Sequence, residues 1–221
     1  MKKYELTNET KTLAAGTVLH RIRALRDIPR FGVKAGELGG FVEGENNLSQ
    51  DGDAWVFCNA KVYGNARVYG NAKVYGDACV YGDACVYGDA EVYGNAEIYG
   101  NARVSGNARV SGNANVSGDA WVYGNAKVYG NAKVYGKAEI YGDAEVSANS
   151  DYMVVKNIWS SGRWFTYTSS NKKWAVGCFY GTGEELVAKA YKDSKLSGKC
   201  YEAIVHAVET IEAAKAEAKA R

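Results

Sequence analysis

The chain has 221 residues, 47% of them hydrophobic, with 27 basic against 25 acidic side chains and a net charge of +2. That balance excludes bulk attraction to nucleic acid or to an anionic membrane, and no segment has the basic footprint of a dedicated nucleic-acid binder. Five cysteines (58, 79, 85, 178 and 200), odd in number and without metal-ligand spacing, point to a reduced, cytosolic setting. No apolar run follows Met1-Lys2-Lys3, so neither a secretory leader nor a membrane span is expected.

Residues 1–52 lead into a repeat. Val18 to Leu25 reads as a strand, with Arg21 and Arg23 on one face and His20, Ile22 and Ala24 on the other. Asp27-Ile28-Pro29-Arg30 reads as a turn, and residues 36–48 as degenerate hexads, because Val42 to Leu48 is six residues but Leu48 to Val56 is eight. A solenoid end exposes core and backbone, so this region is expected to cap it. Its basic cluster (His20, Arg21, Arg23, Arg26, Arg30, Lys34) is either an anion site or a solvated face paired with acids such as Asp27 and Glu37.

From Asp53 to Ser147 one hexad, Ala-x-Val-Tyr-Gly-Asn, recurs without insertion, with Val or Ile every six residues from Val56 to Val146. So short and strict a period predicts a solenoid. Alternation puts Ala and Val inside and x and Tyr outside, while Gly with Asn or Asp turns the corner. Tyr gives way to Ser at 105, 111 and 117, three successive copies, which predicts a shallow waist on all sides at one level. The x positions of one side read Trp55, Lys73, Glu91, Arg109, Lys127 and Glu145, a ladder of cross-strand pairs facing solvent. Asp77, Asp83 and Asp89 fall on three different corners and cannot meet at one ion.

Beyond residue 150 the period ends. Three strands are expected, Tyr152–Trp159, Arg163–Thr168 and Trp174–Phe179, then a helix opened by the capping box Thr182-Gly183-Glu184-Glu185 and running to about Asp193. Its buried side is read as Leu186, Val187, Ala190 and Tyr191. Ser197-Gly198 is read as a break before a second helix from about Lys199, apolar at Tyr201, Ile204, Val205, Val208 and Ile211. The division is thus a cap (1–52), a ladder (53–149) and a C-terminal β-β-β-α-α module (150–221).

The ladder resembles the left-handed parallel β-helix of the hexapeptide-repeat proteins. The resemblance implies three hexads per turn, hence residue i beneath i+18, and a fold that is mainly β with an irregular N-terminal cap and a small C-terminal α+β domain. A second resemblance rests on Thr17-Val18-Leu19-His20-Arg21-Ile22-Arg23-Ala24-Leu25, on Phe31 to Phe41, on Asn47-Leu48-Ser49 and on the ladder. With Trp159-Ser160-Ser161-Gly162-Arg163-Trp164-Phe165 and Val176 to Leu186, these residues are similar to small phage and prophage proteins labelled acetyltransferase-like. What this implies is an accessory product acting in the cytoplasm of a bacterial host. The hexapeptide family implies a homo-oligomer, a trimer foremost.

Family acyltransferases use a histidine base, and a carbonic-anhydrase branch uses three histidines on zinc. Here only His20 and His206 exist, both outside the ladder. The expectation is therefore a non-catalytic binding or scaffold protein with no cofactor and no metal, inhibiting a host defence pathway by masking a protein or sequestering a small anionic ligand. An acyltransferase and a single-stranded nucleic-acid binder are the alternatives, the latter disfavoured by interspersed acids. Near-identical coils discriminate poorly between ligands, so the contact is expected on the module: Arg163 and Trp164, Lys172 and Trp174, and the helix N-terminus at Thr182 and Gly183. Arg23 and Arg26 of the cap are secondary candidates.

Overall fold

The computed structural model describes residues 2–220 and divides into two compact units, Met1–Asn149 and Ser150–Arg221. In the first, sixteen two-residue strands run from β4 (Trp55–Val56) to β19 (Glu145–Val146), one per hexad. Each pairs in parallel with the strand one turn away, Lys61 beside Cys79 and Glu91 beside Arg109, so vertical neighbours are eighteen residues apart. Three sheets result, the sides of a parallel β-solenoid. The Ala and Val or Ile of every hexad are wholly buried, whereas the Tyr row stands outside. Branched side chains fill the narrow interior, and alanine leaves room for the chain to bend towards the next side.

Corners need glycine for two reasons. At Gly88 φ is +71°, and a Cβ there would lie 3.0 Å from the backbone nitrogen of Gly106 one turn on. The Asx residue that follows stitches turns together: Asn65 donates to Asp83 at 2.9 Å, and Asn95 to Asn113 and Asn113 to Asn131, each at 3.1 Å.

The degenerate hexads form the first turn. In β3 (Leu38–Val42), Val42 pairs in parallel with Val62, and Leu48 bridges Val68. Both offsets are twenty, because the Leu48-to-Val56 side carries two extra residues. With this turn the solenoid has about six.

Ahead of it, β1 (Tyr4–Thr12) and β2 (Val18–Ala24) form an antiparallel pair that extends the β3 side. Trp55 is not a solvated ladder residue. It is 1% exposed, because the N-terminal segment lies over it and the Tyr4 ring meets it edge-on at 6.3 Å. Lys3 is buried beside it and donates to the Ala54 carbonyl at 2.8 Å. Burial, with the Arg26 charge, holds its ammonium down at about 8.

The second unit has four strands rather than three: β20 (Tyr152–Lys156), β21 (Trp164–Thr168), β22 (Lys173–Val176) and β23 (Phe179–Gly181). They form an antiparallel meander, and Gly177, at φ +58°, breaks the expected third strand in two. Helix α1 (Gly183–Asp193) starts at the capping box: Glu185 N–H donates to Thr182 Oγ1 at 3.2 Å and Thr182 N–H to Glu185 Oε2 at 2.7 Å. Its buried residues are Gly183, Leu186 and Ala190, while Tyr191 is exposed.

Helix α2 (Lys195–Lys219) begins four residues before the expected start and passes through Gly198. The Tyr191 ring presses there, 2.2 Å from where a Cβ would stand, so this glycine serves close packing and not a break. Val205 and Val208 enter the core with Phe165, Tyr167, Trp174, Val176 and Leu186, but Ile211 is exposed. No described helix is long and apolar enough to cross a membrane.

Candidate ligand site

The residues expected to bind on the module are held in different ways. Trp174 is 2% exposed and packs against Tyr167, so it is core. Gly183 is buried because Val205 lies 2.5 Å from its virtual Cβ. The helix N-terminus is closed by its own carboxylate, and the hydrogen bonds from Thr182 hold the Glu185 carboxyl below its ordinary range. Trp164 remains 39% exposed under the Lys156 ammonium, which stands 5.7 Å above it. Lys172 is exposed at φ +53° in the β21–β22 turn. Arg163 is exposed and borders a pocket of about 40 Å³ with Cys178, Asp193 and Tyr201. Only these last three remain open to a ligand.

The basic cluster of the cap is neutralised. Arg21 reaches Glu9 at 2.8 Å, Arg23 reaches Glu5 at 3.3 Å, Arg26 reaches Asp53 at 4.0 Å, Arg30 reaches Asp89 at 2.5 Å and Lys34 reaches Asp27 at 2.9 Å. Asp89 is thus a partner of Arg30 and Asn71, and Asp83 a partner of Asn65. Among the described residues no three His, Cys, Asp or Glu side chains converge as a metal site would require.

Two cations on the solenoid are different. On the side built from Arg67–Val68, Cys85–Val86 and Arg103–Val104, Cys85 is paired below with Arg67 and above with Arg103. Neither arginine makes a hydrogen bond or ion pair among the described residues. Elsewhere the ladder does pair, as Lys127 with Glu145 at 2.8 Å and Arg109 with Glu91 at 4.0 Å. Lys73 stands over the Tyr75 ring at 4.6 Å instead.

Beside this column Tyr69 and Tyr87 stack with centroids 4.9 Å apart and planes 1° from parallel. The two columns, with Asn46 and Ser49 of the first turn at one end, line a cleft of about 660 Å³. Burial pushes the Tyr69 phenol up, and Arg67 and Arg103 pull against that shift. At about 4.8 Å per rung, the two arginine backbones stand roughly 10 Å apart. An aromatic wall facing two unpaired guanidiniums suits an anion with a flat or apolar body. Hexad arithmetic alone places Arg67, Cys85 and Arg103 in one column, with no acid before Glu139. The column is a break in that near-identity, and so escapes the expectation that near-identical coils discriminate poorly.

The waist is real but unequal. Ser111 and Ser117 are partly exposed, whereas Ser105 is buried. The Trp121 indole covers it: Nε1 donates to Ser105 Oγ at 3.1 Å, and the ring stacks on Tyr123 with centroids 4.4 Å apart. Cys79 and Cys85 lie in different sheets, and all five cysteines are free.

Comparison with known families matches the YdcK beta-solenoid repeat to residues 60–76, 96–112 and 108–124. A search among curated proteins finds no match. The matched stretches lie within the ladder and include Arg67, Tyr69, Arg103 and the serines at the waist. Geometry and match agree that the chain is a β-solenoid repeat protein.

Proposed function

We propose that this protein is a non-catalytic binding scaffold that holds a small anionic ligand in the cleft between the Arg67–Cys85–Arg103 column and the stacked Tyr69 and Tyr87. The observation that carries the reading is a pair of arginines with no hydrogen bond or ion pair among the described residues, whereas the arginines of the cap and Lys34 have ion-pair partners and Asp119, near Arg103, pairs with Lys137. A solvated arginine is free to pair, and two in one cleft select for negative charge. The cleft lining holds no histidine, so it lacks the base used by family acyltransferases.

The resemblance of residues 17–49 and of the C-terminal module to phage and prophage proteins supports a cytoplasmic role in a bacterial host. Sequestering an anionic signal of a host defence pathway is the purpose that suits such a scaffold. The resemblance of the ladder to the hexapeptide-repeat proteins favours a homotrimer, which native mass spectrometry would count.

The binding site is tested by calorimetric titration of inorganic pyrophosphate into the wild type and four alanine variants. Arg67→Ala and Arg103→Ala should each weaken binding about tenfold or more, the loss of one charge-assisted hydrogen bond. Arg163→Ala and Lys172→Ala should leave it unchanged. Binding lost in the module pair and kept in the cleft pair would move the site to the module and defeat the proposal.

A further inference from the structure

The tyrosine columns of the solenoid are stacks of rings one rung apart. Tyr63, Tyr81 and Tyr99 stack at 5.0 and 5.1 Å, and Tyr75 and Tyr93 at 4.8 Å. At the waist each column loses one ring, because Ser105, Ser111 and Ser117 stand where the repeat has Tyr. The rings flanking the gap are Tyr87 and Tyr123 at Ser105, Tyr93 and Tyr129 at Ser111, and Tyr99 and Tyr135 at Ser117. Two rungs of about 4.8 Å separate such a pair, so a ring inserted midway would lie about 4.8 Å from each neighbour. That is the spacing at which the tyrosines themselves stack.

One of the three gaps displays what it accepts. Trp121 belongs to the x column, but its indole stacks on Tyr123 and reaches the Ser105 hydroxyl, entering the gap from the Tyr123 side without a ring contact to Tyr87 among the described residues. Two contacts fix it: ring-on-ring stacking, and the Nε1–H donated to the serine hydroxyl at 3.1 Å. At the equivalent x positions of the other two sides stand Lys127 and Lys133, which have no ring to offer. Tyr129 and Tyr135 touch no other ring among the described residues and are 38% and 61% exposed.

We infer that the Ser111 and Ser117 gaps are binding slots for a flat, bicyclic nitrogen heteroaromatic ring, a purine or an indole carried by a small molecule. Stacking on the flanking tyrosines would hold the ring faces. The serine hydroxyl would take an N–H, or donate to a ring nitrogen, at the edge. A phenyl ring could stack but would leave the hydroxyl without a ring partner, which is why the nitrogen edge is part of the assignment. The slots lie on the two sides other than that of the arginine cleft, and the inference does not rest on the cleft's ligand.

The test is to titrate two uncharged probes, adenosine and indole, each in turn, into the full chain. Calorimetry or ligand-observed NMR would follow four forms of the protein. Adenosine carries no charge for Arg67 and Arg103, so binding to the cleft is not confused with binding to the slots. The expected result is two sites per chain for at least one probe. Ser111→Tyr with Ser117→Tyr restores the repeat residue, fills both slots from within and should abolish binding, while Arg67→Ala with Arg103→Ala should leave it unchanged. Trp121→Ala vacates the third gap and should raise the count from two to three. No binding of either probe at millimolar concentration would overturn the inference. So would binding that survives the double tyrosine variant, or a site count that Trp121→Ala does not change.

Discussion

At the scale of single residues, the inside and outside of the wall differ by one position in the chain. Val86 is wholly buried, whereas its neighbour Tyr87 faces out onto the cleft. Val86→Asp would place a carboxylate in an apolar shaft with no partner, a loss of about 3–5 kcal/mol. Tyr87→Asp keeps its charge in water and should cost far less; thermal melts of the two variants give the order. Lys3 offers a pH test. Its folded value lies near 8, below the ordinary lysine value of 10.5, so the unfolded chain binds more protons between these limits. Stability from this group therefore rises with pH across that window and is absent below it. Wild type should gain on Lys3→Met as melts move from pH 7.5 to 10, and a constant difference would deny the buried ammonium its role.

At the scale of elements, the corners and the caps set what can be changed. Gly88 and Gly136 have almost the same positive φ, but only Gly88 would drive a Cβ into the next turn; nothing lies within 4 Å of that position at Gly136. Gly136→Ala should cost about 1 kcal/mol for its backbone conformation alone, and Gly88→Ala clearly more, because Gly106 backbone must move. Equal losses by denaturant titration would mean that the turns are not in close contact there. Thr182→Ala removes the N-cap of α1 and should cost about 1 kcal/mol.

The solenoid was legible in the sequence because its register is local arithmetic: six residues to a side, eighteen to a turn. The two-residue excess between Leu48 and Val56 was equally visible, though its effect, an offset of twenty in the first turn, needed pairing partners to interpret. What was not legible depended on distant chain. Trp55 occupies an outward position by period, yet Tyr4, fifty-one residues earlier, covers it. Gly198 reads as a breaker until the Tyr191 ring is seen against it. The site followed the same division. The column of Arg67, Cys85 and Arg103 could be counted out, but not that these arginines lack partners while Arg23 and Arg26 have theirs.

At the scale of the whole molecule, recognition on the proposed reading falls at breaks in a regular wall. The repeat supplies a rigid ruler of rungs, and binding is placed where the ruler is interrupted: by unpaired arginines in one column and by missing rings at one level. A scaffold of this kind needs no moving part, since its wall is preorganised by backbone pairing on both sides of the inner strands. The most direct measurement is crystallographic: soak crystals in tungstate, an electron-dense oxyanion, and locate it from its anomalous signal. The expected peak lies in the cleft, within hydrogen-bonding distance of the Arg67 or Arg103 guanidinium and beside the Tyr69–Tyr87 wall. A peak at Arg163 or Lys172 with the cleft empty would contradict the proposal.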